Sequence, residues 1–237
     1  MNVAIIVPAY NEERNLIKLV KEIKKNISAT IIIVDDSTSN SSKKLFKKKK
    51  KNLIYIYRGK KLGRGSAVIF GLKKALKIKK ISHYIEMDAD LSHKPSELKK
   101  NLSIFNKQKL DLLIASRYLK KSKIINWPTS RRILSKLSNN MARLLLGVPV
   151  CDYTNGYRIY SKRAASIIVK KCGKIGGGFI VLSEILMLIN SKKYKINETS
   201  TVFINRIRGE SSVNLKLVFQ SLIGLFKLYL IKKIKKI

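Results

Sequence analysis

Acidic side chains are scarce: 14 Asp and Glu stand against 51 Lys and Arg in 237 residues, a formal net charge of +37. A surface of that sign fits nucleic acid, anionic lipid or phosphorylated substrates. The excess is mostly lysine spread along the whole chain, and together with richness in Asn and Ile it equally matches the background of an AT-rich coding sequence. Charge alone therefore selects no partner, and the run Lys47 to Lys51 reads as a solvated helix end. Cysteine is nearly absent. Cys151 and Cys172 have no metal-type spacing and form no disulfide framework, which fits a reduced, cytosolic setting. No stretch offers the ~20 uninterrupted apolar residues a spanning helix needs. The start of the chain runs straight into a strand pattern without a basic region or cleavage site, so no export is expected. No internal repeat is visible. A hydrophobic content of 45% excludes a disordered chain, and the length suits one large domain or a domain with an appendage.

What is present is organised around His83 to Pro95, His-Tyr-Ile-Glu-Met-Asp-Ala-Asp-Leu-Ser-His-Lys-Pro. An apolar run ends in two carboxylates one residue apart, a spacing that in a strand sets Asp88 and Asp90 on one side of the backbone. At the C-terminal end of a strand in an open α/β sheet both reach one ion, and hard oxygen ligands suit Mg²⁺ or Mn²⁺ bridging to nucleotide phosphates. Taken alone, the same short Asp-x-Asp reads more readily as a solvated turn whose carboxylates cap the next segment.

Other segments bear on that choice. Val3 to Val7 reads as a buried strand closed by Pro8; Asn11, Glu12 and Glu13 open a helix carrying Leu16, Leu19, Val20, Ile23 and Ile27. Thr30 to Val34 is a second strand ending in Asp35 and Asp36. Leu53 to Tyr57 is a third, followed by the turn Lys61-Leu-Gly-Arg-Gly-Ser-Ala and a helix from about Ser66 to Ile78. Pro95 starts the helix after the fourth strand, and Leu110 to Ala115 is the fifth. The alternation predicts a parallel sheet with helices on both faces. Three strand ends, Pro8/Tyr10/Glu12, Asp35/Asp36 and Asp88/Asp90, then converge on one crevice. The glycine turn matches neither a P-loop nor the dinucleotide fingerprint, which argues against kinases and NAD enzymes.

From Thr129 a long amphipathic helix is expected, with Ile133, Leu137, Met141 and Leu144 on one face and Arg131 and Ser135 an i,i+4 step apart, able to touch one ligand. A turn-rich loop from Gly147 to Asn155, a strand from Tyr157 to Tyr160, a helix from Lys162 to Lys171 and a hinge at Gly176 to Gly178 follow. An apolar helix holding Glu184 and a strand from Ile196 to Ile204 complete this half. Arg158 suits a structural partner of Asp152 or a ligand contact. Glu184 suits a core arginine or the lining of an acceptor site. His93 reads as a turn residue and Cys151 as a small buried side chain.

Val7-Pro-Ala-Tyr-Asn-Glu, Val34-Asp-Asp, Leu62-Gly-Arg-Gly-Ser-Ala, Met87-Asp-Ala-Asp-Leu-Ser-His-Lys-Pro, Ser116-Arg-Tyr, Asp152-Tyr-Thr-Asn-Gly-Tyr-Arg-Ile-Tyr and Arg206-Ile-Arg-Gly-Glu-Ser-Ser stand in one order. Together they resemble the family 2 glycosyltransferases, most closely the dolichol-phosphate mannose synthases. The resemblance implies a GT-A fold over residues 1–212, with a nucleotide-sugar half (1–118) and an acceptor half (119–212). It implies a metal-dependent, inverting transfer of mannose from GDP-mannose to a polyprenyl phosphate at the cytosolic membrane face. By position Pro8, Tyr10, Glu12, Val34 and Asp36 would hold the nucleoside, and Asp88, Ala89 and Asp90 the diphosphate and metal. Arg117 and Arg206 would neutralise phosphates, and Arg131 with Ser135 would grip the lipid phosphate; the catalytic burden would fall on Asp90, Arg117 and Arg131. Two positions depart from the family: Ser92 stands where some relatives have a third metal ligand, Gln, and Ser212 where they have Lys, with Arg208 as the substitute.

A phosphate monoester acceptor is already anionic at neutral pH, its second pKa being about 6, so orientation and charge balance replace a general base. The last stretch, 213–237, reads as a basic amphipathic helix: apolar residues broken by Gln220, Ser221 and Lys227 and ending in Lys-Lys-Ile-Lys-Lys-Ile. Peripheral membrane binding leads, ahead of docking on a membrane-protein partner or dimer mate, with core packing third. Competing readings are a transferase for another sugar using a UDP donor, and a non-catalytic lipid- or nucleic-acid-binding protein, against which the acidic strand ends argue.

Overall fold

The chain alternates strand and helix from its start: β1 (Val3–Ala9), α1 (Glu13–Asn26), β2 (Thr30–Asp35), α2 (Ser41–Leu45), β3 (Leu53–Tyr57), α3 (Arg64–Leu76), β4 (His83–Glu86), α4 (Leu98–Lys107) and β5 (Leu112–Ser116). A less regular half follows, with β6 (Lys123–Ile125), α5 (Thr129–Leu146), β7 (Arg158–Ser161), α6 (Lys162–Lys171), α7 (Ile180–Ser191), β8 (Ile196–Ser200), β9 (Val202–Ile204) and α8 (Leu215–Ile234). The structure is a computed structural model that describes residues 2–39, 41–46, 51–205 and 215–234.

Among the described residues seven strands form one sheet in the order β3-β2-β1-β4-β7-β5-β8. The run β3-β2-β1-β4 is parallel, β7 is inserted antiparallel between β4 and β5, and β5 pairs in parallel with β8. Successive residues of a strand face opposite ways, and the core divides accordingly. Ala4, Ile6, Ile32, Val34, Tyr84, Leu112 and Ile114 pack with residues of α3, α6 and α7. Val3, Ile5, Val7, Ile31, Ile33, Ile85 and Leu113 pack with α1 and α4 on the other face. Strands buried on both sides must be apolar throughout, which is why the first, second and fourth strands read as continuous runs rather than alternating ones.

Three expectations from the sequence change. The single strand over 196–204 is two: the chain leaves the main sheet at Thr201, whose hydroxyl donates to Glu97 Oε2 at 2.5 Å while the Val202 N–H donates to Glu97 Oε1 at 3.0 Å. β9 then pairs with β6 in a separate two-stranded sheet. The apolar stripe of α5 faces outward, with Ile133 55%, Leu137 60% and Leu144 83% exposed, while Asn139, Ala142 and Leu146 are buried. The cause is polar: Asn139 Oδ1 accepts the Tyr153 N–H at 2.6 Å and its Nδ2 donates to Thr154 Oγ1 at 3.2 Å, so the 152–155 loop fixes the rotation of the helix. Finally, one face of α8 packs inward, the reading ranked third. Leu225 and Leu228 join the core and Gly224 lies against Ile180, while Ile223, Phe226 and Leu230 remain exposed.

Candidate active site

Because β2, β1 and β4 are adjacent and parallel, their C-terminal ends share one edge of the sheet. The backbone stitches them together there, with Asp36 N–H donating to Ala9 O at 2.9 Å and Met87 N–H to Ile6 O at 3.1 Å. Pro8 is buried within β1, Tyr10 is half-buried with the Lys61 ammonium 4.5 Å from its ring centre, and Glu12 accepts from Asn15 Nδ2 at 2.5 Å. The Val34 side chain is wholly in the core, so only its backbone can meet a nucleoside. Asp36 is 3% exposed and its carboxylate takes Arg58 Nε at 2.5 Å and Nη2 at 2.8 Å, plus the N–H groups of Leu62 at 2.9 Å and Gly63 at 3.1 Å. Its neighbour Asp35 accepts from the Tyr55 hydroxyl at 2.6 Å and the Ser37 N–H at 2.9 Å. Asp36 thus pins the glycine turn to the end of β2, a role the sequence did not suggest.

The strand β4 stops at Glu86, so Asp88 and Asp90 lie in the loop just beyond it, both half-buried, with Ala89 buried between them. Asp90 Oδ1 accepts the Ser92 N–H at 3.1 Å. A relay fixes the loop from behind: the Asp88 N–H donates to His93 Nδ1 at 3.1 Å, which puts the imidazole proton on Nε2, 2.8 Å from Asn155 Oδ1. Asn155 Nδ2 in turn donates to the Ala115 carbonyl. His93 is 1% exposed and stacked on Tyr157, a positioned turn residue as its sequence context indicated.

Arg64, on the glycine turn, reaches the same acids. Its Nε and Nη2 lie 2.9 and 2.6 Å from Asp88 Oδ1, and its Nη1 lies 2.5 Å from Glu86 Oε1. Glu86 is fully buried and also accepts from the Tyr160 hydroxyl at 2.6 Å. Burial by itself would lower the Arg64 pKa, but the two carboxylates outweigh it and the guanidinium is held charged. Burial next to Glu86 pushes the Tyr160 phenol well up. Arg64 and Glu86 stand inside the sequence motifs without a role assigned to either side chain; the signal for Glu86 was its i−2 spacing from Asp88.

Among the described residues no group of three or more His, Cys, Asp or Glu side chains is arranged to hold an ion. The residues still fit Mg²⁺ or Mn²⁺, because such ions are usually held by one or two carboxylates completed by substrate phosphates and water. The Ser92 hydroxyl, at the position of the relatives' Gln, is buried and has no hydrogen-bond partner among the described residues. Arg206, Arg208, Ser212 and residues 47–50 of the lysine run lie outside the described residues.

Beside the crevice a cavity of about 210 Å³ is lined by Arg117, Arg131 and Ser135 together with apolar residues that include Leu134, Met141, Leu222 and Leu225. The three acceptor residues of the sequence reading therefore meet in one place, between α5, α7 and α8. Arg117 is held from below: its Nε donates to Asp152 Oδ2 at 2.8 Å, and its Nη2 to Asp152 Oδ1 at 2.8 Å and Thr154 Oγ1 at 2.6 Å. The rings of Tyr118, Trp127 and Phe203 surround its guanidinium at 5.3 to 5.4 Å. Burial would raise the Asp152 pKa, but Arg117 and the N–H groups of Arg117 and Asn155 hold it below the usual carboxylate range. Ser135 accepts the Tyr118 hydroxyl at 2.6 Å.

Arg158 is neither a partner of Asp152 nor a ligand contact. Its guanidinium is fully buried and donates to the carbonyls of Asn155, Leu182 and Tyr153 at 2.8 to 2.9 Å, locking the 152–155 loop onto α7. Glu184 likewise takes neither expected role, because its carboxylate turns back to accept the Gly173 N–H at 2.7 Å. Cys151 is half-buried, and Glu198, unnoticed in the sequence, accepts the N–H groups of Cys151 at 2.7 Å and Asp152 at 2.9 Å.

Parallel strands ending in acids and an antiparallel insertion define a GT-A-type α/β fold. Residues 4–168 match the family described as Glycosyl transferase family 2, and the chain belongs to it. It is 32% identical over 235 residues to a dolichol-phosphate mannosyltransferase of Pyrococcus furiosus, covering 96% of this chain and 64% of that protein. It is 35% identical over 163 residues to a polyprenol monophosphomannose synthase of Mycolicibacterium smegmatis, covering 67% of this chain and 61% of that protein. The chain thus spans less than two thirds of the length of these curated relatives. Among solved structures, glucosyl-3-phosphoglycerate synthase from Mycobacterium tuberculosis in complex with UDP aligns with a TM-score of 0.65 at 14% identity, over 96% of this chain and 80% of that one. TarS of S. aureus aligns with a TM-score of 0.59 at 18% identity, over 98% and 39%. At these identities the likeness is one of fold.

Proposed function

We propose that the chain transfers mannose from GDP-mannose to a polyprenyl phosphate with inversion at the anomeric carbon. The observation that carries this reading is the composition of the cavity: two arginines and several hydroxyl groups set in a lining whose surface is mostly apolar, with leucine and methionine side chains from α5 and α8. A lipid phosphate matches that composition with an anionic head and an apolar tail. The similarity to a dolichol-phosphate mannosyltransferase and a polyprenol monophosphomannose synthase supports mannose as the sugar and a polyprenyl phosphate as the acceptor.

In the reaction an oxygen of the lipid phosphate forms a bond to the anomeric carbon as the bond from that carbon to the GDP oxygen breaks, so GDP leaves with its electron pair. No proton has to be removed, because the acceptor is already ionised. Arg131 and Ser135 orient the attacking phosphate, and Arg117, fixed by Asp152 and Thr154, balances charge between acceptor and departing diphosphate. Mg²⁺ or Mn²⁺ held by Asp88 and Asp90 would supply further positive charge to the diphosphate. Pro8, Tyr10, Glu12, Asp36 and the backbone at Val34 would make the nucleoside side of the crevice, and Ala89 lies between the two acids on its diphosphate side.

Membrane association at the cytosolic face is part of the same reading. Ile133, Leu137 and Leu144 on α5 and Phe226, Leu230 and Ile234 on α8 present apolar side chains outward, and α8 ends in lysines suited to anionic headgroups. Among the described residues no helix is long and apolar enough to cross a membrane.

The test is incubation with a polyprenyl phosphate, Mg²⁺ or Mn²⁺ and either GDP-mannose or UDP-glucose, comparing the native chain with Asp90→Ala. Mannosyl lipid from GDP-mannose that falls at least a hundredfold in Asp90→Ala is expected. Glucosyl lipid only would replace the donor, and full turnover in excess chelator would overturn the metal-dependent mechanism.

A further inference from the structure

The glycine turn holds an arginine that the proposed chemistry does not use. Arg64 enters α3 immediately after Gly63, and both its Nε and its Nη2 are spent on a single oxygen, Asp88 Oδ1. Its remaining terminal nitrogen is tied to Glu86, which is itself buried and bonded to Tyr160. The placement is built in by close approach on two sides. A Cβ on Gly156 would sit 1.7 Å from Arg64 Nη2, so only glycine lets the guanidinium pass to the acids. A Cβ on Gly63 would sit 2.5 Å from the Gly177 carbonyl, and that carbonyl also accepts the Ser66 N–H at 3.0 Å, clamping the turn that carries Arg64. Glycines from three separate segments thus serve one guanidinium.

We propose that Arg64 is the internal counter-cation of Asp88 and Glu86, acting through Asp88 to make divalent-cation binding depend on the nucleotide diphosphate. The physical reason is charge competition. With Arg64 on Asp88, an incoming cation meets a carboxylate whose charge is already balanced, and a fixed positive group lies within a few ångströms of it. The two negative phosphates of a donor reverse that balance, so cation and nucleotide enter together. Arg64 also pairs with Glu86, a buried carboxyl that without it would keep only the Tyr160 hydroxyl as a side-chain partner. This inference rests on Asp88 and Asp90 being the cation site, and its test separates the two.

The measurement is Mn²⁺ affinity by electron paramagnetic resonance, without nucleotide and with saturating GDP, for the native chain, Arg64→Met and Gly156→Ala. In the native chain GDP is expected to tighten Mn²⁺ binding at least tenfold. In Arg64→Met nucleotide-free binding should tighten about tenfold and the gain from GDP should shrink by the same factor. Gly156→Ala, which displaces the guanidinium without removing its charge, should move the same way by a smaller factor and serves if Arg64→Met does not fold. A merely structural role predicts the opposite sign, because a disordered Asp88 binds the ion more weakly. Unchanged or weaker nucleotide-free binding in the folded variants would overturn the role of Arg64. Absence of Mn²⁺ binding to the native chain even with GDP would instead remove the cation site itself.

Discussion

The crevice at the strand ends and the cavity beside it are built on opposite principles. In the crevice two carboxylates are each matched by an arginine from another segment, Asp36 by Arg58 and Asp88 by Arg64, and a third such pair, Asp152 with Arg117, stands at the wall of the cavity. Around the cavity, most of the lining surface is apolar although half of the lining residues are polar, and the helices that wall it, α5 and α8, turn further apolar side chains outward. A site that stabilises moving negative charge gains from dipoles and ion pairs fixed in advance, since nothing then has to reorganise during reaction. A site for a long apolar tail needs surface rather than geometry, and it tolerates side chains whose cover comes from outside the chain.

That contrast can be broken most sharply at Asp152. Asp152→Ala leaves the buried Arg117 guanidinium without its counter-charge, and removing one partner of such a pair costs about 3 to 5 kcal/mol, read by urea unfolding at pH 7. The pH dependence has a defined sign. The folded carboxyl titrates below its unfolded value of 3.8, so its contribution is complete above that pH and is lost as pH falls through the lower folded value. The native chain should therefore lose stability faster than Asp152→Ala below about pH 4, and equal acid sensitivity would show that the pair is not formed.

The two faces of α8 supply the next comparison. Leu228 is fully buried, so Leu228→Ala should destabilise by about 2 to 5 kcal/mol. Phe226 is 56% exposed, and Phe226→Ser combined with Leu230→Ser should leave unfolding within about 0.5 kcal/mol per site, yet release the protein from anionic vesicles in a sedimentation assay. Vesicle binding that survives the double change would mean that the outward face docks elsewhere. A truncation after Asn214 is the poorer test, since it would also uncover the core beneath Leu225 and Leu228.

The smallest effect is expected at Glu184, which burial raises above its ordinary pKa despite the N–H groups it accepts. Glu184→Gln keeps an acceptor for the Gly173 N–H and removes the cost of a buried charge. Stability at pH 7 should be unchanged or higher by at most about 1 kcal/mol, with the difference closing as pH falls through the raised value. A loss of several kcal/mol would show that the Lys174 charge outweighs burial at this carboxylate.

Most of the sheet was legible because strands buried on both faces leave an unmistakable apolar run, and the acids that end them mark the edge where ligands gather. β2, β3 and α6 fall within a residue of their expected bounds. The arrangement of the site was only half legible. Arg117, Arg131 and Ser135 do line one cavity, but Asp36 turned out to anchor a turn, and Arg158 to hold three backbone carbonyls. Periodicity showed that α5 has an apolar face without revealing that Asn139, on its polar side, would be the face turned inward.

The one-dimensional pattern by itself determined the strand and helix succession of the first half, the convergence of its acids and the family to which the chain belongs. These follow from local alternation and from short motifs that act through their own backbone. Which arginine answers which carboxylate, the wall that α8 makes for the cavity and the break at Thr201 were decided only in three dimensions. Those contacts join residues 22 to 105 positions apart, and their energies depend on burial and on fixed distances that no linear spacing encodes.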